Sequence, residues 1–233
     1  MAESVTVGDL SNKIRLLRFG MRQRKLIGYY NYTVILTYVG MLLAFTGMLR
    51  VISGDFAFAL VLLMLAGICD MFDGTVASTN KKRNTSEKRF GIQIDSLSDM
   101  VCFGVMPAVF VYLISEKSII AAIVSAFYTL TALIRLAYFN VSEEERQDAT
   151  EERRKFYDGV PVTTISMMLP LVFLLQDRTG IEGMAWYLVA LIVCGVGFIS
   201  PVQVKKPGTK AKIVLVAIGI TELIGVILIG WKA

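Results

Sequence analysis

The chain has 233 residues, of which 55% are hydrophobic and 18% charged, and its mean hydropathy is +0.62. A soluble domain of this length would not need so much apolar material, so the composition points to helices that cross a membrane. It excludes a disordered chain, a small disulfide scaffold and a nucleic-acid module reliant on a large basic surface. With a net charge of +5 and no histidine, imidazole catalysis and histidine metal ligation are excluded as well.

Residues 1–29 are polar and basic, without the apolar core and small-residue cleavage site of a secretory signal. Ile14, Leu17, Met21 and Leu26 recur at helical spacing among Lys13, Arg15, Arg18, Arg22, Arg24 and Lys25, which predicts an amphipathic helix lying on an anionic leaflet. Seven apolar runs follow, at 30–49, 55–77, 91–114, 118–140, 160–176, 184–200 and 211–231. Each is expected to be helical, because a segment in lipid must satisfy its own backbone polar groups. The fold class is therefore an all-α integral membrane protein of about seven transmembrane helices, with 1–29 as a cytoplasmic segment and 30–233 as a single membrane domain. Cys69, Cys102 and Cys194 lie inside apolar runs with no CxxC spacing and read as packing residues.

Charge supports the count independently. With the amino terminus in the cytoplasm and seven alternating helices, 19 of the 24 Lys and Arg residues fall in cytoplasmic segments. Only Arg50, Lys117, Arg178 and Lys232 fall outside, and Arg135 is left within the fourth helix. That is the asymmetry of the positive-inside rule.

Four aspartates stand at the cytoplasmic ends of the second and third helices. Asp70 and Asp73 are three apart, Asp95 and Asp99 four apart, so each pair shares a helix face. Gly74 and Ala77 continue the first face and Gly91 opens the second, letting a helix or a ligand approach the backbone closely. Carboxylates at membrane depth are costly and usually functional, and four that converge repel one another unless cations lie between them. An all-oxygen donor set suits a hard divalent ion, Mg²⁺ or Mn²⁺, one or a pair. The plain alternative is a solvated helix border neutralised by Lys81, Lys82, Arg83, Lys88 and Arg89. The regular spacing, with glycines on the same faces, argues against it.

At these positions the sequence resembles the CDP-alcohol phosphatidyltransferases, whose signature is D-x-x-D-G-x-x-A-R, a short spacer, then G-x-x-x-D-x-x-x-D. Asp70, Asp73, Gly74, Ala77, Gly91, Asp95 and Asp99 all match. Two departures stand out: Ser78 occupies the arginine position, and the spacer before Gly91 is longer than usual. In the family that arginine lies close to the nucleotide phosphates; here Lys81, Lys82, Arg83 or Arg89 could supply the charge. The runs Phe90–Asp99, Phe103-Gly104-Val105-Met106-Pro107, Arg135–Asn140 and Gly159-Val160-Pro161 are most similar to the bacterial-type phosphatidylserine synthases within the family.

The resemblance implies a six-helix catalytic core plus one further helix. It implies transfer of the phosphatidyl group of CDP-diacylglycerol to the hydroxyl of L-serine with release of CMP. It assigns Asp70, Asp73, Asp95 and Asp99 to a two-metal cluster, Asp99 also to the general base, and Gly74, Ala77, Ser78 and Gly91 to the substrate side. A homodimer and the plasma membrane of a bacterium or archaeon also follow from it. Arg135 is expected to contact the serine carboxylate or the lipid phosphate. Glu222, inside the last helix, is read as structural, and the Glu143–Glu145 and Glu151–Glu152 clusters as a solvated loop. Thr37 and Gly40 weakly echo a first-helix T-x-x-G pattern. Competing readings are transfer to glycerol 3-phosphate or an inositol phosphate, and a divalent-cation transporter.

Overall fold

The computed structural model describes residues 27–149, 156–179, 183–205 and 208–230. The interfacial helix expected within 1–29, the Glu151–Glu152 cluster with Arg153, Arg154 and Lys155, and Lys232 lie outside the described residues. The described part of the compact unit Asn31–Ala233 is almost entirely helical. A 3₁₀ turn at Tyr32–Val34, capped by the Asn31 side chain on Thr33 N, leads into α1 (Ile35–Ile52). Then follow α2 (Phe56–Thr79), α3 (Thr85–Asp99), a π-helical turn at Met100–Val105, α4 (Met106–Ile114) and α5 (Ile119–Ala149). After β1 (Phe156–Asp158) come α6 (Ile165–Thr179), α7 (Met184–Ile199), β2 (Gln203–Lys205) and α8 (Thr209–Gly230).

Because α3, the π turn and α4 form one rod, the described residues contain seven rods, matching the seven apolar runs. Five are long and apolar enough to cross a membrane: Tyr32–Ile52, Phe56–Thr79, Thr85–Ile114, Ile119–Arg146 and Ala211–Gly230. Two apolar helices, Val162–Gln176 and Met184–Ile199, are shorter. The core is mainly apolar, with Leu60, Leu63, Phe103, Met106, Phe110, Tyr128, Ile165, Leu169 and Leu191 fully buried. Leu42, Ile52, Ile119, Ile123 and Leu130 are exposed on the outer faces, as lipid contact requires. Helices approach closely where a side chain is missing: a Cβ on Gly67 would stand 2.5 Å from Ser166 Oγ.

Three features depart from the expected boundaries. The third rod begins at Thr85 rather than 91, because Asn84 and Glu87 form a capping box, with Glu87 N donating to Asn84 Oδ1 (2.8 Å) and Asn84 N to Glu87 Oε2 (2.9 Å). The fourth helix runs on to Ala149, so Glu143–Glu145 belong to a helix and not to the loop expected for 141–159. Its 31 residues span about 46 Å at 1.5 Å each, more than the hydrocarbon thickness. Beyond the bilayer, the Arg146–Glu143 ion pair at 2.6 Å supports the extension.

The third departure is a two-stranded antiparallel ladder in which Phe156, Tyr157 and Asp158 pair with Lys205, Val204 and Gln203. Gly159, at φ +77°, closes it: Gly159 N donates to Val202 O, Val160 N to Gly197 O, and a Cβ on Gly159 would meet Phe198 O at 2.4 Å.

Candidate active site

Asp70 and Asp73 lie in the second half of α2, Asp95 and Asp99 in the second half of α3, and the fold brings the two faces together. One carboxylate oxygen from each of Asp70, Asp95 and Asp99 lies within 4.8 Å of the others. Across the two helices Asp70 faces Asp99 and Asp73 faces Asp95. Asp73 is buried and accepts a further bond from Thr37 Oγ1 on α1 at 3.3 Å. Ser98 Oγ donates to Thr37 O at 3.2 Å, which joins α1 to α3 beside the cluster. The cavity among Thr37, Asp70, Asp73, Asp95, Asp99 and Cys102 measures about 10 Å³, room for one water-sized sphere.

This donor set fits a divalent cation. Carboxylates this close repel unless positive charge stands between them. The ligands on offer are hard oxygens, since the Cys102 thiol is engaged with Ser98 Oγ at 3.7 Å. Among the described residues, Arg135 and Lys212 act on the cluster. Arg135, buried in α5 with its guanidinium carbon 6.0 Å from the Phe139 ring centre, interacts electrostatically with both Asp70 and Asp99. Lys212 of α8 interacts with Asp70.

The remaining candidates take distinct places. Gly74 is exposed, and a side chain there would meet no atom within 4 Å. Ala77 is half-buried one turn further on. Ser78 Oγ turns back to donate to Thr75 O at 2.7 Å. A Cβ on Gly91 would meet only Arg83 Nη1, at 3.6 Å. Gly40 faces Cys69 and Ala66 O, so the first-helix glycine packs α1 against α2. Glu222 is buried in α8, and its Oε2 has no hydrogen-bond partner among the described residues.

Sequence reasoning missed a polar chain that ties α3 to α5 beside the cluster. Ser96 Oγ donates to Asn140 Oδ1 (2.5 Å), Asn140 Nδ2 to Gln93 Oε1 (3.2 Å), and Gln93 Nε2 to Glu144 Oε1 (3.2 Å). Polar residues on facing helices are a signal for such a chain, but their register is not readable from one strand of sequence. Lys212 had no signal at all.

A helical membrane protein with four aspartates lining one small cavity between two helices is of the kind that handles phosphate esters with a divalent ion. The model of the CDP-alcohol phosphatidyltransferase family matches residues 30–199, and the chain belongs to that family. It is similar to proteins named CDP-diacylglycerol–serine O-phosphatidyltransferase in several organisms. The Helicobacter pylori protein is 30% identical over 172 residues, 71% of this chain and 68% of the relative. The Saccharomyces cerevisiae protein is 34% identical over 113 residues, 47% and 40% of the two chains. The Methanocaldococcus jannaschii protein is 36% identical over 104 residues, 45% and 47%. The matched stretches thus cover less than two thirds of the yeast and archaeal relatives' own length.

Proposed function

We infer that this chain transfers the phosphatidyl group of CDP-diacylglycerol to the hydroxyl of L-serine and releases CMP, with 30–233 as one catalytic domain. The observation that carries this reading is the convergence of Asp70, Asp95 and Asp99 within 4.8 Å, on helices that also carry Gly74 and Gly91, in a member of this family. The names of the relatives favour serine over glycerol 3-phosphate or an inositol phosphate as acceptor.

Asp70, Asp73, Asp95 and Asp99 are the residues that would hold Mg²⁺ or Mn²⁺, two ions on the family's pattern. When bound, the metal neutralises the diphosphate charge that would otherwise repel the incoming oxygen. Asp99 takes the proton of the serine hydroxyl as that oxygen bonds to the lipid phosphorus. The bond from this phosphorus to the CMP oxygen breaks, and CMP leaves with the electron pair. Arg135 binds the serine carboxylate or the lipid phosphate and orients it toward Asp99. Gly74 and Ala77 leave room for the cytidine diphosphate along α2. The active site and amino terminus face the cytoplasm of a bacterial or archaeal plasma membrane, the side to which the basic segments fall. The working assembly is a homodimer.

The test is CMP release by purified protein given CDP-diacylglycerol and Mg²⁺ or Mn²⁺, with serine, glycerol 3-phosphate or inositol phosphate supplied separately. Serine-dependent release, abolished by EDTA and by Asp99→Asn, is expected. Release with another acceptor would move the substrate assignment. Transport of Mn²⁺ into proteoliposomes, with no CMP release, would replace the enzyme reading.

A further inference from the structure

The signature has an arginine where this chain has Ser78, and the Ser78 hydroxyl is occupied on its own helix by Thr75 O. Four basic residues of the following segment compete for the vacant role, and the structure separates them. Lys81, Lys82 and Arg89 are exposed, whereas Arg83 is half-buried. Its Nη1 lies 3.6 Å from the point where a Gly91 side chain would begin. Its Nε is fully shielded from solvent, with no hydrogen-bond partner among the described residues. Gly91 precedes Asp95 by four residues on the same face of α3, about one 5.4 Å turn. The guanidinium is therefore folded back over the helix that carries half of the aspartate cluster.

An N–H group that has lost water without gaining an acceptor costs free energy, which an anion held by the remaining N–H groups of the same guanidinium offsets. The planar fork of a guanidinium matches phosphate oxygens, and nothing projects from Gly74 or Gly91 to block them. The longer spacer has a structural consequence that suits this role. Arg83 is the residue just before Asn84, whose capping box with Glu87 fixes the backbone there and gives the side chain a rigid root.

We propose that Arg83 binds the diphosphate of the CDP-linked lipid, replacing the signature arginine that Ser78 displaces. This rests on the phosphatidyltransferase reading above and assigns one residue of its donor-lipid subsite.

The experiment uses the full chain in detergent, measuring CDP-diacylglycerol kinetics at saturating serine and CDP binding by calorimetry. Arg83→Ala is expected to raise the KM for CDP-diacylglycerol and the Kd for CDP roughly 10- to 100-fold, the range of a lost charge-assisted bond. The KM for serine stays unchanged. Arg83→Lys keeps the charge without the fork and falls between. Adding Ser78→Arg to Arg83→Ala restores most of the CDP affinity, which a merely structural role for Arg83 would not allow. Lys82→Ala, the control for loop charge, behaves as wild type. Wild-type CDP affinity in folded Arg83→Ala overturns the proposal, as does an equal loss in Lys82→Ala. Should Arg83→Ala fail to fold, Arg83→Gln is read in its place by the same criteria. Failure of the wild-type protein both to bind CDP and to release CMP sinks the phosphatidyltransferase reading, and this assignment with it.

Discussion

Thr37 donates its hydroxyl to Asp73 from a helix 36 residues away, so the orientation of one carboxylate of the cluster is set from α1. Both groups are buried, and the cavity beside them has room for no more than one water. Thr37→Val keeps the shape and removes the bond, and its loss is worth about 0.5–1.5 kcal/mol. If Asp73 holds a metal, the variant needs roughly 2- to 10-fold more Mg²⁺ for half-maximal CMP release, while Thr37→Ser stays near wild type. A Mg²⁺ titration of initial rates on both variants checks this, and an unchanged midpoint in Thr37→Val would remove Thr37 from the site. The four aspartates were legible in the sequence because 3- and 4-residue spacings fix a helix face without knowledge of the fold. Thr37 showed only as a weak echo of the first-helix T-x-x-G pattern, and its contact with Ser98 not at all, because that contact joins residues 61 apart on two helices whose relative rotation only packing decides.

At the scale of the element, the π turn at Met100–Val105 begins just after Asp99, and its cause lies in the sequence. Pro107 has no N–H to give to the carbonyl four residues earlier, and its ring crowds that carbonyl, which belongs to Phe103. The freed Phe103 O accepts from Tyr128 OH at 2.5 Å, whereas the Thr129 hydroxyl gives its one proton to Ser125 O on its own helix at 2.8 Å. A hydroxyl of α5 thus satisfies the carbonyl that a membrane interior would otherwise penalise. Tyr128→Phe leaves Phe103 O without its partner and is expected to cost about 1–2 kcal/mol, with a fall in turnover because the turn fixes where α3 ends and Asp99 points. In a Pro107→Ala background the backbone N–H returns, so the same Tyr128→Phe change should cost measurably less. Thermal unfolding of the four proteins of this cycle reads the coupling, and additive losses would break the link between Pro107 and Tyr128. The run 91–114 reads from sequence as one span, and it is one. The turn inside it could not be read, because a proline announces a missing donor but not which hydroxyl of another helix answers it.

For the whole molecule the uncertain count concerns α6 and α7, whose 15 and 16 residues reach only about 22–24 Å at 1.5 Å each, less than a typical hydrocarbon core. The β1–β2 ladder constrains them. It pairs Asp158, shortly before α6, with Gln203, shortly after α7, so the chain leaves and returns on one side of the membrane. Both helices are strongly apolar, and their buried residues Ile165, Leu169 and Leu191 join the same core as α2 and α5. A hairpin packed this way is expected to cross the bilayer with local thinning rather than to stop at its midplane. With native cysteines replaced, Gly183→Cys at the hairpin tip should react with a membrane-impermeant maleimide from the side opposite Gln203→Cys. Gly183 has an extended backbone that any residue adopts, so the substitution itself adds no strain. Ser53→Cys should label together with Gly183→Cys, and Lys82→Cys together with Gln203→Cys, because each pair is separated by an even number of crossings. Protection of Gly183→Cys from both sides would make α6 and α7 a re-entrant pair. The distribution of basic residues would still fit that topology, since the hairpin returns to the side it left. Charge alone therefore cannot distinguish a short crossing from a re-entrant one, and the accessibility of the tip does.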